Sequence, residues 1–408
     1  MFRISGPLAG PVLEEMTGAR GTPRIARLVS VRLPDGSLLD QGLALWFPGP
    51  ASFTGEDVAE LHLHGSIAVE RTLREVLLAR GLRPAEAGAF TLRAFEHGKL
   101  DLAQAEGLGD LLRAETEGQR RHALGQLGGR LSELAEGWHH ALLGALALLT
   151  ATIDFAEEDD VPDGLDDRVV AILDDLIAGL DDALSGVQAA ARLRDGVRVV
   201  LTGPPNAGKS SLLNALAGSD HAIVSDVPGT TRDVLEARIE RSGHLVVLTD
   251  TAGIRETDDT VEQLGVARAR AAIATADLRL ELRPSDQVTA PAPDDGAMHL
   301  ASKADIRDGD LPQGWTPVSV RSPGGTDALL QALDARLDGS DAGPIIRQRQ
   351  VEAAEAARSS LRSARDARSA EVAAFEIEAA VSALDALTGR IGTEEVLGAV
   401  FAEFCIGK

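Results

Sequence analysis

Early in the chain, short apolar runs alternate with turn signals. Leu33-Pro34-Asp35-Gly36 precedes Leu38, and Leu43-Ala44-Leu45-Trp46-Phe47 runs into Pro48-Gly49-Pro50. Strands punctuated in this way predict a small α+β domain over residues 1–98. From Leu100 the apolar stretches lengthen and become Ala/Leu-rich, as in residues 141–151. They yield to an acidic segment from Glu157 to Asp167 and resume from Val169 to Leu193. That pattern predicts an all-α domain whose first part covers 99–195. At Gly196 the period changes again, because Val197-Arg198-Val199-Val200-Leu201 is a short apolar strand leading into a glycine-rich turn. A nucleotide-binding α/β domain is expected over 196–340. After Asp341-Ala342-Gly343-Pro344 helix returns, so 341–408 reads as the second part of the helical domain, split by the α/β insertion. Pro284 to Gly296 reads as a disordered or shortened loop.

At 408 residues the chain exceeds what one hydrophobic core usually serves, in keeping with several domains. Its residues are 44% apolar, yet no run of about 20 apolar residues spans a bilayer, which excludes a membrane-crossing protein. The opening Met1-Phe2-Arg3-Ile4-Ser5-Gly6 has no secretion signal, and the sole cysteine, Cys405, has no intrachain partner, so a cytoplasmic location is expected. A net charge of -23 argues against non-specific coating of nucleic acid. RNA contact then requires a local patch, for which Arg347, Arg349, Arg358, Arg362, Arg365 and Arg368 are the candidates.

Gly203-Pro204-Pro205-Asn206-Ala207-Gly208-Lys209-Ser210 matches G-x-x-x-x-G-K-[ST] between a strand and the helical run 211–216. Its glycines let backbone N–H groups converge on phosphate oxygens, and the helix N-terminus adds positive partial charge. Lys209 supplies a point charge between the β- and γ-phosphates, and Ser210 a hydroxyl for Mg²⁺. Asp250-Thr251-Ala252-Gly253 follows a second apolar run, 245–249. Asp250 there can hold Mg²⁺ through water, and Gly253 can offer its N–H to the γ-phosphate. Between them lies Gly229-Thr230-Thr231-Arg232-Asp233, with Thr231 the expected Mg²⁺ ligand. Ras-like switches carry a water-orienting Gln where this chain has Ile254. A carboxylate among Glu256, Asp258, Asp259 and Glu262 is its natural replacement, and spacing does not choose among them. Ser302-Lys303-Ala304-Asp305 stands where guanine-reading proteins carry Asn-Lys-x-Asp. The carboxylate is kept, while Ser302 replaces the Asn that ties this segment to the phosphate loop, which predicts guanine selectivity with weakened base binding. Ser319, Val320 and Arg321 can meet the base through backbone groups.

With these residues located, the chain resembles the MnmE (TrmE) family of tRNA-modification GTPases over nearly its whole length. The most specific matches are Gly203 to Asn214, Gly229 to Asp233, Asp250 to Glu256, Ser52-Phe53-Thr54-Gly55-Glu56-Asp57, Lys99 to Glu106 and Phe404-Cys405-Ile406-Gly407-Lys408. The resemblance implies a multidomain α/β protein. Its parts are an N-terminal α+β tetrahydrofolate-binding domain that dimerises, an all-α helical domain and an inserted Ras-like P-loop GTPase domain. It implies GTP hydrolysis stimulated by K⁺, held by Asn206, Ser225, Val227 and Thr230, with Mg²⁺ on Ser210 and Thr231 and Glu262 as the catalytic carboxylate. The implied GTP-binding set is Asn206, Ala207, Gly208, Lys209, Ser210 and Ser211; Ser225, Asp226, Val227, Pro228, Gly229, Thr230 and Thr231; Asp250, Thr251, Ala252 and Gly253; Ser302, Lys303, Ala304 and Asp305; and Ser319, Val320 and Arg321. A site made by Arg3, Glu60, Lys99 and Lys408 would take 5-formyltetrahydrofolate or a related tetrahydrofolate derivative as one-carbon donor. The implied partners are a second copy of the chain, an MnmG-like flavoprotein, GTP or GDP, and tRNA whose wobble uridine gains a carboxymethylaminomethyl group; no membrane is involved. Against the family pattern the chain lacks the usual first strand, and Leu278 to Met298 is short, without a clear apolar strand and following helix. Those departures, with Ser302, set the alternative of a regulatory GTPase or a weakly active interaction protein.

Overall fold

The computed structural model describes residues 1–154, 165–219, 221–223, 236–250, 272–337, 342–390 and 400–401. The chain opens with β1 (Phe2–Ser5), α1 (Ala9–Thr17), β2 (Arg27–Arg32), β3 (Leu38–Phe47), β4 (Val58–His62) and α2 (Ile67–Ala79). Helices α3 (Ala89–Glu96), α4 (Leu102–Arg113), α5 (Glu117–Leu127), α6 (Arg130–Asp154), α7 (Asp167–Ser185) and α8 (Val187–Asp195) follow. Then come β5 (Val197–Thr202), α9 (Lys209–Ala217), β6 (Glu236–Arg241), β7 (His244–Asp250), β8 (Leu278–Pro284), β9 (Met298–Ser302), β10 (Trp315–Val318) and α10 (Asp327–Leu337). Helices α11 (Gln348–Arg365) and α12 (Ala370–Thr388) complete the described elements. Two compact units result, one of residues 1–109, 126–173 and 359–408, the other of 110–125 and 174–358.

In the first unit β1, β4, β3 and β2 pair antiparallel in that order. Period-2 alternation sends Ile4, Val29, Val31, Ala44, Ala59 and Leu61 to one face, where Leu13 and Met16 of α1 and Leu73 of α2 close the core. The remaining positions, Arg3 and Glu60 among them, fall on the other face as cross-strand partners. Helix α6 packs on α12, with Leu142, Leu149, Ile377 and Leu384 fully buried. Ser369 caps α12 by accepting from the Val372 amide, and Gly389 in the left-handed region ends it.

The second unit holds a six-stranded sheet ordered β10-β9-β8-β5-β7-β6, parallel except for β6. Leu201, Leu248, Leu280, Leu282 and Leu300 are buried beneath α9 and α10, and burying such side chains stabilises by about 1.5–3 kcal/mol each. This strand order with a phosphate loop after the central β5 is that of a Ras-like nucleotide-binding domain. Two expectations are corrected here. Residues 278–284 do form a strand, paired with β5 and β9, although only a single 3₁₀ turn follows it. The segment from Pro284 to Gly296 is tied down rather than disordered. Arg307 Nη1 donates to Val288 O at 3.0 Å, Trp315 Nε1 to Ala290 O at 3.1 Å, and the Ala292 amide to Gln313 O at 2.9 Å.

Two of the six arginines in the candidate RNA patch are engaged within the fold. Arg347 pairs with Asp110 at 2.8 Å with both side chains largely buried, and Arg358 pairs with Asp181 at 2.8 Å. Among the described residues no helix is long and apolar enough to cross a membrane.

Candidate functional site

The phosphate loop is shaped by its backbone. Gly203 has φ +130° and Gly208 φ +95°, and a Cβ on Gly203 would stand 2.1 Å from Leu282 O, so this strand end admits only glycine. Asn206 also lies in the left-handed region, at φ +61°. Gly208 leads into α9, whose first turn carries Lys209, Ser210 and Ser211 and no acidic residue. The N–H groups of a helix's first turn lie outside its own i to i−4 ladder, so this helix start suits an anion. Lys209 is 6% exposed, and its ammonium donates to Gly203 O and Pro204 O at 3.0 Å each, which holds the charge over the loop. Ser210 Oγ donates to Asp250 Oδ2 at 2.6 Å. A hydroxyl from the helix start and a buried carboxylate from the end of β7 thus converge, and hard oxygen donors of this kind suit Mg²⁺.

Ser302, at the end of β9, is buried, and its Oγ donates to Ala207 O at 2.5 Å. The tie expected to be lost with Asn is made by the shorter serine, so the base segment remains fastened to the phosphate loop. Lys303 turns the chain in the left-handed region, with φ +55°, and its carbonyl accepts from Ser285 Oγ at 2.9 Å. Asp305 follows Ala304 on the 3₁₀ turn, and its Oδ1 accepts from Ser319 Oγ at 2.8 Å. Ser319 in turn accepts from the Arg321 amide at 3.2 Å, which ties the segment holding Val320 to the same carboxylate. Ser302, Lys303, Asp305 and Arg321 line a cavity of about 290 Å³ beside Gly208 and Ser211, with Ile306 and Val320 at its rim. Ser285, completely buried, was not expected in this role; a serine after a strand carries no sequence signal. Ser225, Asp226, Val227, Pro228, Gly229, Thr230, Thr231, Thr251, Ala252, Gly253 and Glu262 lie outside the described residues.

In the N-terminal domain Arg3 Nε donates to Glu60 Oε1 at 2.9 Å, and the Arg3 guanidinium stands 5.6 Å over the Phe90 ring. Arg3 and Phe90 line a cavity of about 740 Å³ with Arg93 and Glu56. The Ser52–Asp57 motif is wired into its wall. Ser5 Oγ contacts Thr54 Oγ1 at 2.7 Å and donates to Glu56 Oε2 at 3.0 Å, and Arg93 Nη1 donates to the same carboxylate at 2.7 Å. Phe90 and Arg93 were not among the expected residues, since an arginine and a phenylalanine on a short helix signal nothing by themselves. Lys99 is on the turn after α3, its amide donating to Ala94 O, and it forms no hydrogen bond or ion pair with Arg3 or Glu60. Lys408 and Cys405 lie outside the described residues.

Comparison with known proteins agrees with this anatomy. Residues 1–99 match the family model described as the GTP-binding protein TrmE N-terminus, and residues 102–405 match the MnmE helical domain. The chain is 46% identical to the tRNA modification GTPase MnmE of Methylorubrum populi, across 100% of this chain and 94% of that one. It is 44% identical to the protein of the same name from Acidiphilium cryptum, across 100% of this chain and 95% of the other. Among solved structures, the G domain of the T. maritima FeoB iron transporter matches 35% of this chain and 99% of its own at 20% identity, with a TM-score of 0.25, too slight a likeness to bear on function. The chain belongs to the MnmE (TrmE) family of tRNA modification GTPases.

Proposed function

We propose that this GTPase couples hydrolysis at the 203–210 loop to modification of the wobble uridine of tRNA. In this reading it acts as a homodimer with an MnmG-like flavoprotein and takes its one-carbon unit from 5-formyltetrahydrofolate or a related derivative. The observation carrying the nucleotide chemistry is the convergence of Lys209, Ser210 and Asp250 beside a base segment that Ser302 still ties to the loop. The cavity beside Arg3 supports a place for the folate. We place the domain borders near residues 98, 195 and 340.

In hydrolysis a water oxygen attacks the γ-phosphorus, the bond to the β–γ bridging oxygen breaks, and GDP and phosphate leave. The α9 amides and Lys209 bind the phosphates and stabilise the negative charge that grows on the bridging oxygen. Ser210 and Thr231 would hold Mg²⁺ directly and Asp250 through water, and the ion would supply charge neutralisation at the β- and γ-oxygens. Asn206 and Thr230, with main-chain oxygens of Ser225 and Val227, would hold K⁺, whose charge would do the work of an arginine finger. Ile254 cannot polarise water, and by the family resemblance Glu262 takes that task.

Glu262→Ala is therefore expected to lower GTP turnover by about 10²-fold or more while nucleotide affinity stays within a few fold, because general-base groups contribute on that scale. In cells dependent on this chain, liquid chromatography of digested tRNA should show the modified wobble uridine disappearing with the same substitution. Retained turnover with intact binding would remove Glu262 from the catalytic role. Retained modification without turnover would break the proposed coupling.

A further inference from the structure

Strands β6 and β7 form a hairpin whose two-residue turn, Ser242 at φ +48° and Gly243 at φ +79°, suits right-handed strand twist. Pairing runs without a break from Glu236↔Thr249 to Arg241↔His244, so the two strands are tied along this whole length. One end carries Asp250, bonded to Ser210; the other end is gripped by the start of α5. Thr116, 4% exposed, donates from Oγ1 to Gly243 O at 2.7 Å. The Glu117 amide donates to Glu240 Oε1 at 3.2 Å, and Arg238 pairs with Glu115 at 2.8 Å. The two backbones meet at a pair of glycines, for a Cβ on Gly118 would stand 2.2 Å from Gly243 O. Gln119 fastens the same turn, accepting from the Glu115 and Thr116 amides at 2.8 and 3.1 Å and donating to Arg194 O at 2.9 Å. Arg194 lies in the last turn of α8, which passes through Gly196 into β5 and so to the phosphate loop. On its other side the hairpin is braced by Asp334 of α10, which pairs with Arg241.

The first turn of α5 thus holds the far end of both strands that deliver the phosphate site, β5 with Gly203 at its mouth and β7 with Asp250. His244 to Asp250 spans about 20 Å at the rise of an extended strand. We propose that Thr116 and Gly118 are positioning residues for the GTP site, and that α5 is the helical element whose packing rises and falls with the nucleotide bound there. This rests on the GTP reading above. Linkage makes the effect reciprocal: a nucleotide that shifts the hairpin shifts α5, and loosening α5 changes affinity for that nucleotide by the same factor.

The test is hydrogen exchange by mass spectrometry on the full chain without nucleotide, with GDP and with a non-hydrolysable GTP analogue. Wild-type exchange in residues 115–120 should differ about fivefold or more between GDP and the analogue, the lower end of ordinary coupling. Thr116→Val should bring that difference below twofold, and Thr116→Ser, which keeps the hydroxyl, should restore it, with GTP affinity following the same order. Gly118→Ala should act as Thr116→Val does; if it does not fold, the Val and Ser pair decides. Equal exchange in 115–120 with both nucleotides, while residues 203–210 respond, overturns the proposal, and so does a Thr116→Val chain that behaves as wild type. If residues 203–210 gain no protection from either nucleotide, the GTP reading fails, and this coupling fails with it.

Discussion

Asp305→Asn exchanges the preferred base from guanine to xanthine. Asp305 already accepts from Ser319 Oγ at 2.8 Å, which fixes the carboxylate at the mouth of the base cavity. Guanine presents its N1–H and exocyclic amine to such an acceptor. An amide in its place aims an N–H₂ at those donors, while xanthine offers that amide the carbonyl it lacks on guanine. A hydrogen bond to a charged group contributes about 1.5–3 kcal/mol. Loss of two such bonds lowers GTP affinity by at least about 10²-fold, and XTP affinity rises in return. Equilibrium titration with fluorescent GTP and XTP reads the exchange directly. A variant that still prefers GTP contradicts the assignment of Asp305 and, with it, of the whole base segment.

Lys209→Ala removes the point charge held across the loop and leaves Gly203 O and Pro204 O without the ammonium between them. Removing one preorganised donor from a transition state costs about 10²–10³ in rate. Single-turnover hydrolysis should fall by at least that factor, with a parallel loss of affinity because the ground-state phosphates lose the same contact. Lys209→Arg should not rescue it. A planar guanidinium on a longer stem does not fit a position that is 6% exposed inside a glycine loop. Turnover near wild type in either variant would place the chemistry elsewhere.

The phosphate loop was legible because its residues are local: strand, glycines, lysine and hydroxyl follow one another within one turn, and the backbone φ values obey them. Strand β8 was not, for a physical reason. A strand covered by helices on both faces reads as a continuous apolar run, as Val199-Val200-Leu201 does. In β8, Leu278, Leu280 and Leu282 alternate with Arg279, Glu281 and Arg283, and only a 3₁₀ turn follows where a covering helix would. Its outer face is polar, with Arg279 paired to Asp295 and Arg283 to Glu281. Alternation, not absence, was the signal.

Ser302 shows the opposite limit. Its substitution for Asn was visible, but whether the short side chain still reached Ala207 depended on how closely β9 approaches the loop, which only the packed sheet fixes. That Arg347 and Arg358 of the arginine series pair inside the fold was not legible, because their partners, Asp110 and Asp181, are remote in sequence. The Arg3–Glu60 pair was reached through family resemblance alone; its geometry depends on the register of β1 against β4. The grip of α5 on the hairpin leaves no trace in the chain beyond two glycines, Gly118 and Gly243, whose closeness is a property of the fold.

The most direct test of a potassium-assisted, guanine-selective hydrolase is steady-state turnover by the full chain in KCl and in NaCl at matched ionic strength, with GTP and with ATP. The expected result is turnover of GTP at least tenfold faster in KCl than in NaCl, about 1.4 kcal/mol in the barrier, with ATP left untouched in either salt. Equal, slow rates for both nucleotides in both salts would contradict it.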